Sequence, residues 1–482
     1  MSELSRFIIS EMEKYPNSYL MEQDKKQSYS EVLATVNTLE KEAGWSLFSE
    51  RKCAVLCKSS MNMAIIMIAL WNVNAVVVPL SMNYGKIHCE NILETTRPNV
   101  LISDDILFIK EFCGEVECKV DEHFLSAKLY WNEEDKELDN ISLIMCTSGT
   151  TGNPKGVMLY GQGLVKNVLG ILDYFDINQE DTILIARPLY HGAVLTGELL
   201  VSLCRGLHVI FYSDVFNPRD IKRQIEQYKV SVLCGTPTLM HHLSFLFQLS
   251  HKDNPLRVIA VSGECLIPEV AKNLRSCFKK TKIYNVYGLT EASPRVSYLP
   301  YEEFDSHPEA VGIPLKDTVI KIIKENGEEL GKNQKGQILV QSPSLMKGYY
   351  NNPQISEKKI VDGWLHTGDI GYIDDMGYLY IISRMDDMII KAGMNIYPIE
   401  IENEIEKIEE VRSVLVYGRK GNMTEEIVVD IVLREFAKKM SKKELFKKIA
   451  AVLPAYKMPS IINIVEELPR NASGKIIRPK KK

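Results

Sequence analysis

The sequence predicts an α/β protein, because short apolar runs alternate with amphipathic stretches from about residue 50 to residue 290. This alternation is typical of parallel sheets covered by helices. After Pro294 short strands and turns replace it, which indicates a smaller β-rich subdomain over about residues 295–385. Residues 386–482 mix helix and strand patterns and predict a small α+β domain. A chain of 482 residues is too long for a single core, so two or three domains are expected.

Strands of the alternating part are predicted where apolar and β-branched residues cluster. They are Cys53–Cys57, Ala75–Val78, Val100–Ser103, Ser142–Cys146, Thr182–Ala186, His208–Tyr212, Val230–Cys234, Arg257–Val261 and Lys282–Val286. Amphipathic patterns between them predict helices, including Met61–Trp71, Leu164–Tyr174, Asn217–Tyr228 and Pro268–Phe278. Ligands of parallel sheets bind at the carboxyl ends of strands, so the residues after Cys146 and Val286 are expected to reach one crevice.

The part of the chain after Pro294 has its own predicted elements. The β-rich subdomain contains the strands Val319–Ile323, Gly336–Gln341 and Gly377–Ser383. In the last domain, the strands Val411–Tyr417 and Ile427–Leu433 lie between the helices Ile399–Ile408 and Lys442–Leu453.

Composition excludes several classes of function. A net charge of −5 gives no reason to expect nucleic acid or an anionic membrane as a partner. The ten cysteines are scattered without a CxxC pair, which predicts reduced thiols in a cytoplasmic protein. The N-terminus lacks the basic start and apolar core of a signal peptide. The segment Met61–Leu80 is uncharged, but Asn62, Asn72 and Asn74 interrupt it, so a buried helix and strand are expected rather than a membrane span.

The segment Thr147-Ser148-Gly149-Thr150-Thr151-Gly152-Asn153-Pro154-Lys155-Gly156 follows one of the predicted strands. Its small residues, hydroxyl donors and ammonium group suit a polyphosphate ligand. It does not match the P-loop pattern GxxxxGKS/T, because Pro154 stands at the second glycine and Gly156 follows Lys155. The alternative is a glycine-rich loop that only joins two strands.

Four further segments follow in order: Tyr287-Gly288-Leu289-Thr290-Glu291, Gly363-Trp364-Leu365-His366-Thr367-Gly368-Asp369, Ser383-Arg384-Met385-Asp386-Asp387 and Pro469-Arg470-Asn471-Ala472-Ser473-Gly474-Lys475. Together with the glycine-rich segment they resemble the motifs of the adenylate-forming superfamily. That superfamily contains acyl-CoA and aryl-CoA synthetases, adenylation domains of nonribosomal peptide synthetases, and luciferases. The resemblance implies a large N-terminal AMP-binding domain, residues 1–385, and a small mobile C-terminal domain, residues 386–482, that carries the catalytic lysine.

The resemblance also implies ATP and Mg²⁺ as cofactors and assigns residues to them. Donors to the phosphates are Thr147, Ser148, Thr150, Thr151 and Lys155, and Gly149 and Gly152 allow close approach of the backbone. Glu291 and Thr151 would hold the metal, and Thr290 would donate to the α-phosphate. Other nucleotide contacts are Gly263, Glu264, Asn285, Gly288, the adenine-facing Tyr287, and the ribose-binding Asp369 and Arg384. Lys475 would bridge the attacking carboxylate and the phosphate. Each of these assignments has an ordinary alternative. Tyr287 could be a core residue, and Asp369 could cap its own turn. Arg384 could form a surface ion pair, and Lys475 could be one more lysine of a basic tail.

The acid substrate is less well defined by the sequence. Arg187-Pro188-Leu189-Tyr190-His191-Gly192 resembles the family's Pro-Leu-Phe/Tyr-His motif and would place His191 beside the carboxylate, although a histidine in a helix cap is the alternative. The acyl pocket would be completed by Ala193, Gly197, Glu198, Gly263 and Gly288. Glu198 would pair with a substrate amine or hydroxyl, or with another residue. His191 and Gly192 disfavour a standard α-amino acid as substrate. In contrast, Gly263-Glu264 resembles the Gly-Glu pair of the family members that activate amino acids.

The second half of the reaction is assigned to the C-terminal domain. By resemblance, Asp386 is the hinge and Gly393 lines the channel for the thiol. The predicted function is that of an ATP-dependent carboxylic acid–thiol ligase, with CoA or the phosphopantetheine arm of a separate acyl or peptidyl carrier protein as acceptor. Alternatives are an enzyme that loads a carrier protein, a luciferase-like oxygenase and a silent nucleotide-binding protein. The last is disfavoured by the joint presence of Lys155, Glu291, Asp369 and Lys475.

Overall fold

Strands and helices alternate along the first part of the chain, as the sequence pattern predicts. The computed structural model describes all residues except 1, 42–44, 82–85, 114–117, 120–123, 129–137, 149–153, 213–215, 251–253, 392–393, 422–424, 470–475 and 480–482. The chain forms two compact units, Met1–Ile320 with Val340–His366 and Lys321–Leu339 with Thr367–Lys482. The hinge proposed at residue 386 stays a prediction.

The helices differ in length, and two of them flank a short π-helical segment, Leu195–Leu200. In chain order they are Glu3–Met12 (α1), Tyr29–Lys41 (α2), Ser60–Asn72 (α3), Lys86–Thr96 (α4), Ile106–Cys113 (α5), Gly161–Tyr174 (α6), Gly192–Val194 (α7), Val201–Arg205 (α8), Pro218–Gln227 (α9), Pro237–Ser250 (α10), Pro268–Cys277 (α11), Pro353–Lys359 (α12), Pro398–Glu406 (α13) and Lys442–Val452 (α14).

Most strands are short. In chain order they are Tyr19–Glu22 (β1), Lys25–Ser28 (β2), Lys52–Val55 (β3), Val76–Pro79 (β4), Val100–Ser103 (β5), Cys118–Lys119 (β6), Leu125–Lys128 (β7), Ile141–Ser148 (β8), Pro154–Tyr160 (β9), Thr182–Ile185 (β10), His208–Phe211 (β11), Val232–Gly235 (β12), Val258–Val261 (β13), Lys282–Gly288 (β14), Arg295–Tyr298 (β15), Ile313–Pro314 (β16), Val319–Ile323 (β17), Gly336–Gln341 (β18), Gly348–Tyr349 (β19), Ile360–Val361 (β20), Trp364–Ile373 (β21), Leu379–Arg384 (β22), Ile389–Lys391 (β23), Met394–Ile396 (β24), Val411–Lys420 (β25), Glu425–Leu433 (β26) and Ile461–Ile464 (β27).

Two large sheets organise the first unit. Within the described residues, one has nine strands in the order β16-β15-β14-β13-β12-β10-β11-β1-β2, and the other has eight in the order β19-β9-β8-β4-β3-β5-β7-β6. The central strands of both sheets pair in parallel. Strands at the margins pair antiparallel. The predicted α/β class with parallel sheets is therefore confirmed.

The uncharged segment from Met61 to Leu80 is part of the core of the first unit. Its helix α3 is buried on almost every side, and β4 lies in the middle of a sheet. The N-terminus of α3 is capped by the side chain of Ser59, which accepts from the backbone N–H of Asn62. None of the described helices combines the length and the apolar character that crossing a bilayer requires.

The second unit has a core of its own around the sheet β25-β26-β27. Helices α13 and α14 contribute Ile401, Ile405, Leu445 and Ile449, which are buried with the apolar side chains of the sheet. Helix α14 starts with a capping box, in which Ser441 and Glu444 satisfy each other's backbone N–H groups. Strands β17, β18, β21 and β20 form a further sheet in that order, with β22 paired to β21.

Candidate active site

The glycine-rich segment lies between two antiparallel strands. Thr147 and Lys155 are opposite each other in the pairing of β8 with β9, and Ser148 is opposite Pro154. The segment therefore does join two strands, a geometry that differs from the strand-to-helix turn of a P-loop. The predicted phosphate contacts Gly149, Thr150, Thr151 and Gly152 lie outside the described residues, and so does the side chain of Ser148.

Lys155 lies beside residues that are far away in the sequence. Its Nζ is 5.4 Å from the centre of the Tyr349 ring, at the distance of a cation–π contact. The Tyr349 hydroxyl donates a hydrogen bond of 2.7 Å to Oε1 of Glu291. Strand β19 carries Tyr349 to this place because it pairs with β9, and the N–H of Met346 donates to the Glu291 carbonyl at 2.9 Å. The fold thus brings the glycine-rich segment and the Tyr287–Glu291 motif together.

A polar cavity adjoins Lys155. Its volume is about 270 Å³, and it is lined by Glu94, Thr95, Arg97, Pro154, Lys155, Tyr349, Tyr350, Asn351 and Asn352. Polar and charged side chains dominate this lining, so the cavity suits a hydrated or anionic group better than an apolar one.

The motif from Tyr287 to Glu291 begins at the end of β14. Gly288 is required there, because a Cβ atom at this position would lie 2.3 Å from the carbonyl oxygen of Pro294. Thr290 and Glu291 form a short 3₁₀ turn, and both are partly exposed. Tyr287 is 9% exposed. Asn285, predicted to contact the nucleotide, is buried and donates its amide hydrogens to the carbonyls of Pro308 and Ala310, which gives it a structural role.

Asp369 and Arg384, the predicted ribose contacts, face each other in the second unit. They are paired across β21 and β22, and their side chains form an ion pair of 2.9 Å. Asp369 is 4% exposed, whereas the Arg384 side chain is 46% exposed. Because the Asp369 carboxylate is buried, it needs a donor whenever the guanidinium moves away, and ribose hydroxyls are donors of this kind.

The predicted hinge residue belongs to the same unit. Asp386 lies in a 3₁₀ turn, Met385–Asp387, directly after β22. Gly393 and Lys475 lie outside the described residues. The residues on either side of the 470–475 segment are held, since the N–H of Ile477 donates to the Pro469 carbonyl at 2.9 Å. Arg478 then forms two hydrogen bonds with the Glu402 carboxylate on α13.

His191, which is predicted to lie beside the substrate carboxylate, precedes helix α7; we call this region, with the predicted acyl-pocket residues, the acyl side of the first unit. Its side chain does not cap the helix, and its Nε2 is buried without a hydrogen-bond partner among the described residues. Burial, together with the nearby charge of Arg187, lowers the pKa of the imidazole to about 4. His191 is therefore neutral near pH 7. A Cβ atom added to the next residue, Gly192, would lie 4.0 Å from Cγ2 of Thr290, so this helix starts beside the Thr290–Glu291 turn.

Glu198 is fully buried in the π-helical segment, where it pairs with another residue of the chain. Its Oε1 lies 2.6 Å from Nη2 of Arg187. Burial raises the pKa of this carboxyl, and Arg187 opposes the change. Arg187 and Arg295 were not predicted as site residues. An arginine between the buried strand β10 and the Pro-Leu-Tyr-His segment is nevertheless a signal in the sequence that points to Arg187. Ala193 is partly exposed, and Gly197 is buried.

Gly263 lies close to the same arginine, and Glu264 follows it. Gly263 has a φ of +95°, a conformation that favours glycine, and an added Cβ would lie 4.0 Å from Nη1 of Arg187. The neighbouring Ser262 accepts from that Nη1 at 3.2 Å. Glu264 accepts a hydrogen bond of 3.2 Å from the Thr238 hydroxyl.

The donor set suits Mg²⁺ better than a metal held by protein alone. Among the residues that the structure describes, no group of three or more His, Cys, Asp or Glu side chains could hold a metal ion. Protein-bound Mg²⁺ commonly uses one or two carboxylates together with phosphate oxygens and water. Glu291 fits this pattern, because its carboxylate is partly exposed and one of its oxygens is oriented by Tyr349.

Comparisons with known proteins agree with this geometry. The chain matches the family described as AMP-binding enzyme over residues 10–350, and the AMP-binding enzyme C-terminal domain over residues 400–475. It is 32% identical to a feruloyl-CoA synthase of Amycolatopsis sp. over 342 residues, which cover 71% of this chain and 69% of that protein. It is 28% identical to a 2-succinylbenzoate–CoA ligase of Enterococcus faecalis over 440 residues, which cover 89% and 87% of the two chains.

A solved structure is similar over almost the whole chain. The o-succinylbenzoate CoA synthetase (MenE) of Bacillus subtilis, in complex with the acyl-adenylate intermediate OSB-AMP, has a TM-score of 0.84 and 26% identity, with 99% of each chain covered. The same enzyme has been solved in complex with ATP and a magnesium ion, with a TM-score of 0.82 and 25% identity over 98% of each chain. The motifs, the fold and these matches lead to one conclusion: the chain belongs to the AMP-binding enzyme family.

Proposed function

We propose that this protein is an ATP-dependent carboxylic acid–thiol ligase of the cytoplasm. In the first step a carboxylate oxygen of the acid attacks the α-phosphate of ATP, pyrophosphate leaves, and an acyl-adenylate forms. In the second step a thiol attacks the acyl carbon, AMP leaves, and a thioester forms. The observation that carries the proposal is the contact of Tyr349 with both Lys155 and Glu291, because it joins two motifs of phosphate chemistry in one place.

In this proposal the first unit binds the phosphates of ATP. Lys155 and Thr147 provide a positive charge and a donor on neighbouring strands, where they lower the cost of the charge on the leaving pyrophosphate. Glu291, together with Thr151, would hold Mg²⁺, which neutralises phosphate charge when it is bound. Tyr349 orients the Glu291 carboxylate through its hydrogen bond. Thr290, in the same turn as Glu291, would donate to the α-phosphate.

Residues of the second unit have complementary roles in the proposal. Asp369 would accept from the ribose hydroxyls, with Arg384 beside it. Lys475 would bridge the attacking carboxylate and the α-phosphate. Asp386 and Gly393 would serve the second step, as hinge and as lining of the thiol channel.

His191 would act as an uncharged partner of the acid. Because its pKa is lowered to about 4, the imidazole is uncharged at neutral pH. The imidazole can therefore position the substrate carboxylate by hydrogen bonding, but it does not neutralise the negative charge of that carboxylate. Its Nε2, which has no partner among the described residues, is available for this contact.

CoA is the acceptor that the comparisons support. The relatives quoted above are named as a feruloyl-CoA synthase and a 2-succinylbenzoate–CoA ligase, and both names specify CoA. A carrier protein that bears a phosphopantetheine arm offers the same thiol group, so it is the second candidate acceptor.

The test is acid-dependent exchange of labelled pyrophosphate into ATP, measured across fatty, aryl, hydroxy and amino acids. We expect exchange with at least one acid, and thioester formation from that acid when CoA is added. The same assay with a phosphopantetheinylated carrier protein in place of CoA identifies the acceptor. Absence of exchange with every acid at saturating ATP and Mg²⁺ would contradict the proposed function.

A further inference from the structure

A buried cluster of charged side chains lies on the acyl side of the first unit. It consists of Arg187, Glu198 and Arg295, and we call it the arginine cluster. Arg187 donates from Nη2 to Glu198 and from Nη1 to Ser262. Arg295 donates from Nη1 to the Tyr174 hydroxyl. An added Cβ at Gly197, next to Glu198, would lie 3.0 Å from Nη2 of Arg295, so both arginines approach the same π-helical segment.

The arginine cluster is not satisfied by its own hydrogen bonds. A guanidinium group presents five N–H donors, and Arg187 uses two of its nitrogens within the described residues. Its Nε is buried and has no partner there. Oε2 of Glu198 is likewise buried without a partner. Buried polar atoms are normally hydrogen-bonded, so the Nε donor of Arg187 and the Oε2 acceptor of Glu198 are left for a water molecule or a ligand.

The charges of the cluster are also unbalanced. Two guanidinium groups face the single carboxylate of Glu198, and among the described residues Arg295 forms no ion pair. Two further titratable groups near Arg187 add no charge at pH 7, because His191 is neutral and burial raises the pKa of the Cys234 thiol. An isolated buried charge is costly, whereas a second carboxylate would balance the cluster and could form the paired hydrogen bonds that arginine favours.

The position of the cluster connects it to the predicted acyl pocket. Arg187 lies against Gly263, and Gly192 lies against Thr290, which is predicted to contact the α-phosphate. In the ion pair with Glu198, Arg187 has the more accessible side chain: 14% of it is exposed, whereas the Glu198 side chain is fully buried. Arg187 is therefore the member of the cluster most open to a group carried by the acid, because Glu198 and Arg295 are more deeply buried.

We propose that Arg187 binds a second carboxylate of the acid substrate, so that the enzyme selects dicarboxylic acids over monocarboxylic acids of the same skeleton. The proposal rests on the proposed function, because it concerns the acid that is adenylated. One carboxylate reacts with ATP, and the other remains ionised against the guanidinium. Glu198 and Ser262 hold the guanidinium in place. A long alkyl chain in the same place, in contrast, would exclude water from the Arg187 guanidinium and would offer it no hydrogen-bond acceptor.

The experiment compares matched acids that differ by one carboxylate, namely pentanoate with glutarate, octanoate with suberate, and 3-phenylpropanoate with 3-(4-carboxyphenyl)propanoate. Pyrophosphate exchange gives kcat/KM for each acid. For the pair of best-fitting length, we expect the diacid to be preferred by about ten- to a hundredfold, the scale of hydrogen bonds to a charged group. Equilibrium binding of the same acids, measured by calorimetry, provides a readout that does not require turnover.

Three variants show whether Arg187 causes the preference. Arg187→Met should raise KM for the diacid by about tenfold or more and leave KM for the monoacid within about threefold. Arg187→Lys keeps the charge but loses the planar guanidinium, so its KM for the diacid should lie between those of the unchanged protein and Arg187→Met. Arg257→Met is the control, because it removes an arginine whose ion-pair partners, Asp176 and Asp181, are not part of the arginine cluster, and it should not change the preference.

The outcomes separate this proposal from the proposed function. Exchange that is equal for monoacids and diacids, or a folded Arg187→Met variant whose exchange with monoacids and diacids falls alike, would overturn the dicarboxylate assignment and leave the ligase intact. Stronger binding of diacids without any exchange would support the dicarboxylate assignment and contradict the proposed ligase function. A folded Arg187→Met variant that still binds diacids as tightly as the unchanged protein would also overturn the assignment.

Discussion

The two sides of the candidate active site in the first unit are built in different ways. On the phosphate side, Lys155 and Glu291 are partly exposed and are linked through Tyr349. On the acyl side, Arg187 and Glu198 are held by a buried ion pair. The difference indicates that phosphate-side charges are kept available for a ligand, whereas acyl-side charges also hold the protein together. Substitutions on the first side should therefore lower activity, and those on the second should also lower stability.

The largest expected effect breaks the ion pair of the acyl side. Glu198→Ala leaves the Arg187 guanidinium buried without its carboxylate, and removal of one partner of a buried pair costs about 3–5 kcal/mol of unfolding free energy. Urea unfolding, monitored by tryptophan fluorescence, measures the loss.

The double variant Arg187→Met with Glu198→Leu is the control for this prediction. It removes both charges, so most of the stability should return, even though selectivity for the acid is lost. A Glu198→Ala protein within about 1 kcal/mol of the unchanged protein would show that the buried pair does not have the structural role inferred here.

The next largest effect is expected from the loss of Lys475, the predicted catalytic lysine. Lys475→Ala should lower pyrophosphate exchange by about a hundred- to a thousandfold, the scale for the loss of one preorganised donor to developing charge. Its unfolding should remain unchanged, which is the opposite of the Glu198→Ala result. Lys480→Ala, five positions later in the same basic tail, is the matched control and should keep full exchange. Near-normal exchange in Lys475→Ala would refute the assignment.

A smaller and more selective effect is expected at the hinge. Asp386→Pro restricts the backbone at the position where rotation is predicted, so thioester formation should fall by about tenfold or more while pyrophosphate exchange stays within about twofold. Asp386→Ala removes the same carboxylate without fixing φ and should retain both steps. Equal losses in the two half-reactions, measured separately by exchange and by thioester yield, would argue against a hinge at this residue.

The smallest effect tests the contact that defines the phosphate side. Tyr349→Phe removes only the hydroxyl that donates to Glu291. One hydrogen bond is worth about 1 kcal/mol, so the Mg²⁺ concentration for half-maximal exchange should rise by about fivefold. In a Glu291→Gln background the same substitution should have little further effect, because the two residues act as a unit. Independent, additive effects would show that Tyr349 does not act through Glu291.

Much of the fold was predictable because its parallel strands are short, apolar and buried on both faces. The strand Val100–Ser103 and the helix start at Pro268 were predicted with their observed limits. The strand Pro154–Tyr160 was missed, because Pro-Lys-Gly at its start is typical of a loop. The polar hairpin of β1 and β2 was missed for a related reason, since Lys25–Ser28 has no apolar pattern and is stabilised by its partner strand.

The sequence by itself determined the class of chemistry. Phosphate binding requires particular residue types at short spacing, such as Gly149, Gly152 and Lys155, and this local pattern is readable without a structure. Only the tertiary structure decided which distant residues meet. Tyr349 reaches Glu291 through the pairing of β19 with β9, and Arg187 and Arg295 approach one π-helical segment through the packing of the first unit. Such contacts depend on strand order and burial, and neither is encoded in the spacing of a short motif.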